Sequence, residues 1–313
     1  MKKRIVFAAL LIMMIMAVPV FAQPTTKLRG DGSVVRVMFI AMDAQDQHWL
    51  KLNQGAQAAA AKAKIFYTMQ APFNKVDTAQ QMNIMENAIT AQYDVIMVAP
   101  QLATSLIASI NKARAAGIKV IILDSPLPAG SNYDAFIGTD NGAAARTAAD
   151  TLAKAIGGKG KIAIVNAQAG AGTTMIRENE FKARIAASYP NIQIVGTQYS
   201  DGIKERAMNQ ATDFMRAHPD LAGFYGCNEQ STTGIAAAVK QSGRKVVIVG
   251  WDLSSEAKTL ILDGTIFAVI VQMPSAMGSK GIDAALALLS GKTVKRDDDS
   301  GCVVGTRANV AKL

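Results

Sequence analysis

Short aliphatic runs alternate along this chain with longer runs whose apolar residues recur at helical spacing. The aliphatic runs cover 34–41, 64–71, 94–99, 119–124, 135–138, 161–166, 192–199, 221–226, 245–250 and 266–272. Most are apolar at consecutive positions, the pattern of a strand buried on both faces. The helix-patterned runs cover 47–63, 76–91, 103–116, 141–156, 174–187, 203–217, 230–242, 254–262 and 275–290. Several of them stop at a glycine, as at Gly117, Gly157, Gly243 and Gly291, which suits a left-handed C-cap. Strands alternating with helices predict parallel sheets covered on both faces. Ten or eleven strands are too many for a common single sheet, and 313 residues suit roughly two domains of about 150 residues each. The expected fold class is therefore α/β, with two doubly wound parallel-sheet lobes.

The first residues depart from this alternation. Met1-Lys2-Lys3-Arg4 is followed by the apolar run 5–22, and Val20 and Ala22 stand where a signal peptidase selects small residues. Residues 1–22 are expected to be a cleaved signal peptide, with export to the periplasm. Half of the chain is hydrophobic and 18% is charged, enough apolar matter for a sizeable core. Loss of Lys2, Lys3 and Arg4 lowers the formal charge of +9 by three, to +6. The remaining Lys and Arg are scattered, without the clustered stripe of a nucleic-acid binder, so no nucleic-acid partner is expected. The two cysteines, Cys227 and Cys302, lie far apart; two inert buried thiols are favoured over a disulfide. Neither they nor His48 and His218 have metal-ligand spacing, and no metal or cofactor is expected.

In open α/β sheets, ligands bind beyond the carboxyl ends of the strands. Here those ends are polar. They carry Asp43, Gln45, Asp46, His48 and Trp49, then Asp124-Ser125, Asn166, Cys227-Asn228-Glu229, Trp251-Asp252 and Gln272. Asp, Asn and Ser are also the preferred helix N-caps, so each alone reads equally as a cap. Gln272 and Trp49 are not cap residues. Forked carboxylates and amides beside an aromatic ring suit a sugar, whose neighbouring hydroxyls they can bind in pairs. Trp251 should point away from Asp252, into the core.

Catalytic motifs are missing: there is no G-x-S-x-G, no H-E-x-x-H, and IGGKGKI lacks the Ser or Thr of a phosphate loop. GAGTT (170–174) is expected to open a helix, and Asp297-Asp298-Asp299 to be a solvated loop. No catalytic residue is assigned.

The runs NQGAQAAA (53–60), VIILDSPLP (120–128), FIGTDNGAAA (136–145), AHPDLAGFYGCNEQSTTGIAAA (217–238), VVIVGWD (246–252) and GTIFAVIVQMPSAMGSKGI (264–282) carry a resemblance. In order and spacing the chain resembles periplasmic sugar-binding proteins of ABC importers, of the ribose-binding-protein type, over roughly residues 34–310. The resemblance implies two similar lobes joined by a three-crossing hinge, with the ligand in the cleft between them. It implies one lobe of 34–139 plus 273–300 and another of 140–272 plus 301–313. The crossings would fall near Asp140, Gln272–Pro274 and Ser300–Cys302. Carried over by position, the ligand-binding residues are Asp46, Trp49, Asp124, Ser125, Arg177, Asn228, Asp252 and Gln272, with His48 beside Trp49. Arg177 comes from the resemblance alone, through RENEF (177–181); its other reading is a charge on a helix surface.

The departures concern the same positions. A ribose binder of this type has Asn in place of Asp46, two phenylalanines in place of His48-Trp49, an arginine in place of Ser125, and an aromatic near Gly202. They point away from ribose, to another pentose, a hexose or a polyol. The implied partners are a small carbohydrate and, transiently, a membrane ABC permease, with the binding protein a monomer. A sensor subunit facing a chemoreceptor or kinase, and a binder of a nucleoside, are compatible alternatives. A regulator of the lactose-repressor type would need a helix-turn-helix where the apolar leader stands. An exported enzyme would need a nucleophile with a base, or a paired acid and base.

Overall fold

The computed structural model describes residues 30–73, 77–170 and 172–313. The expected signal peptide, residues 1–22, lies outside the described residues. The elements run in order β1 (Arg36–Ile40), α1 (Gln47–Ala63), β2 (Phe66–Gln70), α2 (Thr78–Thr90), β3 (Val95–Val98), α3 (Ile107–Ala115), β4 (Lys119–Leu123) and β5 (Ala135–Gly138). Then come α4 (Asn141–Ala155), β6 (Gly160–Asn166), α5 (Gly172–Ser188), β7 (Ile192–Tyr199), α6 (Lys204–Ala217), β8 (Leu221–Gly226), α7 (Glu229–Ser242), β9 (Val247–Trp251), α8 (Ser255–Leu262) and β10 (Ala268–Gln272). The chain ends with α9 (Pro274–Leu289), β11 (Asp297–Asp299), β12 (Cys302–Thr306) and a 3₁₀ turn at Val310–Lys312.

The strands form two six-stranded sheets, in the orders β11-β5-β4-β3-β1-β2 and β12-β10-β9-β8-β6-β7. Strands β1–β5 and β6–β10 thus repeat one topology, which makes two similar α/β lobes. All pairings are parallel except β10–β12, which is antiparallel. That exception follows from connectivity. β5 and β11 run in parallel to end side by side at Gly138 and Asp299. The chain then enters the second sheet after only Ser300 and Gly301, at the end where β10 finishes, with Cys302 paired to Gln272. It can only run back along β10.

Each sheet is buried on both faces. Leu52, Ala56, Met277 and Ile282 cover one side of the first sheet, and Ile84, Met85 and Ile110 the other. In the second, Ala148, Leu152, Phe181 and Ile185 cover one side, and Ala211, Phe214, Ile235 and Ile261 the other. Two helices therefore pack on the lobe opposite to the strand that precedes them: α4 follows β5 of the first sheet and packs on α5, and α9 follows β10 of the second and packs on α1. The α1–α9 contact needs glycine. A Cβ on Gly55 would lie 2.0 Å from the Ser275 carbonyl oxygen, and one on Gly278 would lie 2.0 Å from that of Leu52.

Some expectations need correction. Asp297–Asp299 is not a solvated loop but the edge strand β11. Its carboxylates find local partners: Asp298 takes Lys280, and Asp299 accepts the backbone N–H groups of Asp140 and Gly301. Their charge also suits an exposed sheet edge, where it discourages further pairing. The helix expected from 103 begins only at Ile107; Leu102 to Ser105 instead form a turn, with the Ser105 hydroxyl on the Leu102 carbonyl. Both cysteines are free, but only Cys227 is buried; Cys302, on the outer strand of its sheet, is exposed.

Candidate ligand-binding site

The carboxyl ends of both parallel sheets face one another, and a cavity lies between them. It offers about 120 Å³ to the centre of a water molecule, against the roughly 10–15 Å³ that one water needs. That is room for a small organic solute. Asp46, His48, Trp49, Asp124, Ser125, Arg177, Asn228, Asp252 and Gln272 all line it. Eight of the nine, all but Arg177, are strand-end residues from both halves of the chain, and the fold brings them together because those ends converge.

The first wall is organised by Asp43. One of its carboxylate oxygens accepts the backbone N–H groups of Gln45 and Asp46, at 2.9 and 2.8 Å. The other accepts Trp49 Nε1–H at 3.1 Å. Asp46 then caps α1 by accepting the His48 N–H at 3.0 Å. Trp49 is thereby anchored in the core while still lining the cavity, and His48 stands edge-on to it with ring centroids 4.7 Å apart.

Asp124 and Asp252 occupy equivalent places after β4 and β9. Both have left-handed backbones, with φ of 59° and 69°. A non-glycine residue there costs of order 1–3 kcal/mol. Each is held by its own N–H, given to the carbonyl of Ile137 at 2.9 Å and of Ile270 at 2.8 Å. Asp252 is not a cap: Ser254 caps α8. Its carboxylate instead accepts from Gln272 Nε2 at 2.8 Å, and Gln272 Oε1 accepts from Thr139 at 3.0 Å. This chain of bonds links two of the strand-to-strand crossings to the cavity wall.

Arg177 is 3% exposed, so it is not a surface charge. Its Nε donates to Asn141 Oδ1 at 2.8 Å and its Nη1 to the Cys227 carbonyl at 3.0 Å. The guanidinium lies 3.6 Å above the Trp251 ring. Trp251 itself is fully buried and donates to the Tyr225 hydroxyl at 2.7 Å. Asn228 caps α7 through its carbonyl oxygen while its amide reaches Gln230.

His48 Nε2 lies 3.0 Å from Asp124 Oδ1, both nearly buried. The two groups form an ion pair. Burial alone would lower the His48 pKa, but the carboxylates of Asp124, Asp252 and Asp46 outweigh it and hold the imidazole up at about 9. Burial would raise the Asp124 pKa; His48, and Arg177 behind it, instead hold this carboxyl below its ordinary range. Ser125 Oγ and Thr174 Oγ1 also line the cavity, buried and without a hydrogen-bond partner. Two buried hydroxyls are thus unsatisfied at one place, a costly arrangement in an apolar setting.

Sequence reasoning missed several lining residues. Gln101 follows β3 and carries the same strand-end signal as Asp124. Gln168, Thr173, Thr174, Asp201 and Gln230 come from loops and first helical turns, which no strand-end rule reaches. Asn166, at the end of β6, turns away instead: it donates to Glu178 at 2.6 Å and to the Thr174 carbonyl. Among the described residues no group of His, Cys, Asp and Glu could hold a metal ion.

Residues 37–293 match the model of the periplasmic binding protein domain. The chain belongs to the periplasmic binding protein family. Among its relatives is the D-allose-binding periplasmic protein of Escherichia coli, 26% identical over 80% of this chain and 83% of that protein. The crystal structure of an ABC transporter solute-binding protein from Agrobacterium vitis with bound D-fucose superimposes with a TM-score of 0.85, at 37% identity, over 88% of this chain and 97% of that one. A carbohydrate transporter solute-binding protein from Agrobacterium radiobacter, in complex with D-arabinose, gives a TM-score of 0.84 at 28% identity, over 89% and 96%. In this periplasmic binding protein the lobes are in contact across the cleft. Thr173 Oγ1 donates to the Asp124 carbonyl at 3.1 Å, Gln230 reaches Asp46 at 3.4 Å, and Lys51 reaches the Leu253 carbonyl at 3.1 Å. The cleft is closed.

Proposed function

We propose that this protein is an exported receptor that captures a neutral monosaccharide or polyol by hinge closure and delivers it to an ABC-type permease. The observation that carries this is a pair of unsatisfied buried hydroxyls, Ser125 Oγ and Thr174 Oγ1, beside the His48–Asp124 ion pair on a cavity walled by both lobes. Hydroxyl groups both donate and accept, so one sugar can satisfy both. The sugars bound to the related solute-binding proteins support the same class. Asp46, His48, Trp49, Asp124 and Ser125 would bind from the first lobe, and Arg177, Asn228, Asp252 and Gln272 from the second lobe and hinge. Residues 34–139 with 273–300 would move as one body, and 140–272 with 301–313 as the other. Only the closed form makes both sets of contacts, so ligand shifts the equilibrium towards it. Residues 1–22 would be removed on export, and the mature monomer would meet its permease transiently.

The test is a thermal-shift screen of residues 23–313 against pentoses, hexoses, deoxy sugars, polyols and nucleosides, with D-fucose, D-arabinose and D-allose included. A ligand that binds only the folded state raises the midpoint by mass action. A shift with one sugar, lost in Asp252→Ala, is the expected result. No shift across the carbohydrates would refute the proposal.

A further inference from the structure

The cavity wall carries six carboxylates, those of Asp43, Asp46, Asp124, Asp201, Glu229 and Asp252, against two cationic side chains, His48 and Arg177. Some of this charge is used locally. Asp43 is committed to the N–H groups of its loop and Trp49, and Asp201 pairs with Arg206. Arg177 is tied to the second lobe by Asn141, the Cys227 carbonyl and the Trp251 ring. In the first lobe the ion-pair partner of Asp124 is His48, and the neighbouring Ser125 has no charge to add. Across the cleft, Asp252 accepts from the uncharged Gln272 amide. His48 shares its surroundings with carboxylates of both lobes: it lines the main cavity with Asp46, Asp124 and Asp252, and a small adjoining pocket with Lys51, Glu229 and Asp252.

A second carboxylate brought into a closed, dry cleft is unfavourable unless a cation accompanies it. We propose that His48, as an imidazolium, is the charge-selecting residue of this site. It offsets carboxylates from both lobes in the closed cleft, so that the cleft takes neutral hydroxyl-bearing solutes and rejects anionic ones such as uronates and sugar phosphates. This rests on the sugar-binding reading. Without the His48 charge the surplus of carboxylates deepens, and the preference moves towards cationic solutes such as amino sugars.

Two measurements test it. The first uses no ligand. The chain has two histidines, so ¹⁵N-histidine spectra of the ligand-free protein are simple, and His48→Gln assigns His48. An imidazolium pattern for His48 that persists at pH 8 is expected; a neutral imidazole at pH 7.5 overturns the proposal whatever the protein transports. The second is calorimetry of wild type and His48→Gln with D-fucose, D-galactosamine and D-galacturonate, which share one ring configuration. Wild type should bind galacturonate at least about 100-fold more weakly than fucose, as expected for buried like charges. His48→Gln keeps a donor but no charge, and should move the galactosamine-to-fucose affinity ratio about tenfold towards the amine. A ratio unchanged by the substitution overturns the inference while leaving the transport reading intact. Failure of all neutral sugars to bind wild type would instead remove the transport reading, and the selectivity with it.

Discussion

Asp252 shows how a single residue can be read two ways until its neighbours are placed. In sequence it ends an aliphatic strand, where a cap and a ligand contact look alike. In the structure Ser254 is the cap, and Asp252 is held in a left-handed backbone with its carboxylate on Gln272. Asp252→Ala is therefore expected to weaken sugar binding at least about 100-fold, as for loss of a buried charged hydrogen bond, while urea unfolding changes little. Asp43→Ala should behave differently. It leaves two backbone N–H groups and the Trp49 indole without their acceptor, so a loss of about 2–3 kcal/mol in unfolding free energy is expected together with weaker binding. The His48–Asp124 pair adds a pH signature. The His48 pKa, raised from 6.5 to about 9, gives a stabilisation fully present below about pH 6.5 and lost as pH rises through about 9. Asp124, depressed, gives one present above about pH 4 and lost as pH falls through its lowered pKa. Thermal midpoints from pH 5 to 10 should show wild type falling towards His48→Gln at the alkaline end. Parallel curves would dismiss the pair as a stabilising element. Strand-end chemistry made Asp46, Asp124, Ser125 and Asp252 legible. Thr174 and Gln230 were not, because a first-turn residue points at a cavity only once its helix is docked.

At the scale of elements, periodicity served well where burial is two-sided and poorly where backbone pairing decides. The apolar runs of β3, β4 and β9 announce themselves because both faces of each strand are covered. β11 does not: three aspartates have no apolar signal, and the strand exists because β5 offers an open edge and Lys280, Asp140 and Gly301 receive its charges. Likewise the antiparallel run of β12 follows from a two-residue crossing, which hydrophobic pattern does not encode. The α1–α9 packing is carried in the sequence only by two glycines, Gly55 and Gly278. Since a Cβ at Gly278 would meet backbone and not a movable side chain, Gly278→Ala should cost about 1–3 kcal/mol by forcing the helices apart. Urea unfolding measures it. Because α9 follows directly from the Met273 crossing, that substitution should also lower sugar affinity, whereas Gly117→Ala, far from any crossing, should not.

Some contacts between the two lobes lie outside the cavity wall, and that makes closure separable from binding. Asp124 belongs to the first sheet and Asp252 to the second, so a ligand between them must wait for the lobes to approach. Gly172 marks one point of approach. It opens α5 in the second lobe, and a Cβ there would lie 2.8 Å from the Pro126 carbonyl oxygen of the first. It contributes no group to the cavity wall. A side chain at this position would act as a wedge that the open form accommodates and the closed form does not. If only a fraction of molecules can close, the apparent dissociation constant rises by the inverse of that fraction. Gly172→Val is therefore expected to weaken sugar binding by about ten- to a hundredfold with little change in ligand-free unfolding. Small-angle scattering supplies the second half of the test. Saturating sugar should reduce the radius of gyration of wild type, and leave Gly172→Val closer to its ligand-free value. If the variant binds and compacts as wild type does, the contact between Gly172 and Pro126 is not part of closure, and the coupling must run through Asp46–Gln230 and Lys51–Leu253 instead.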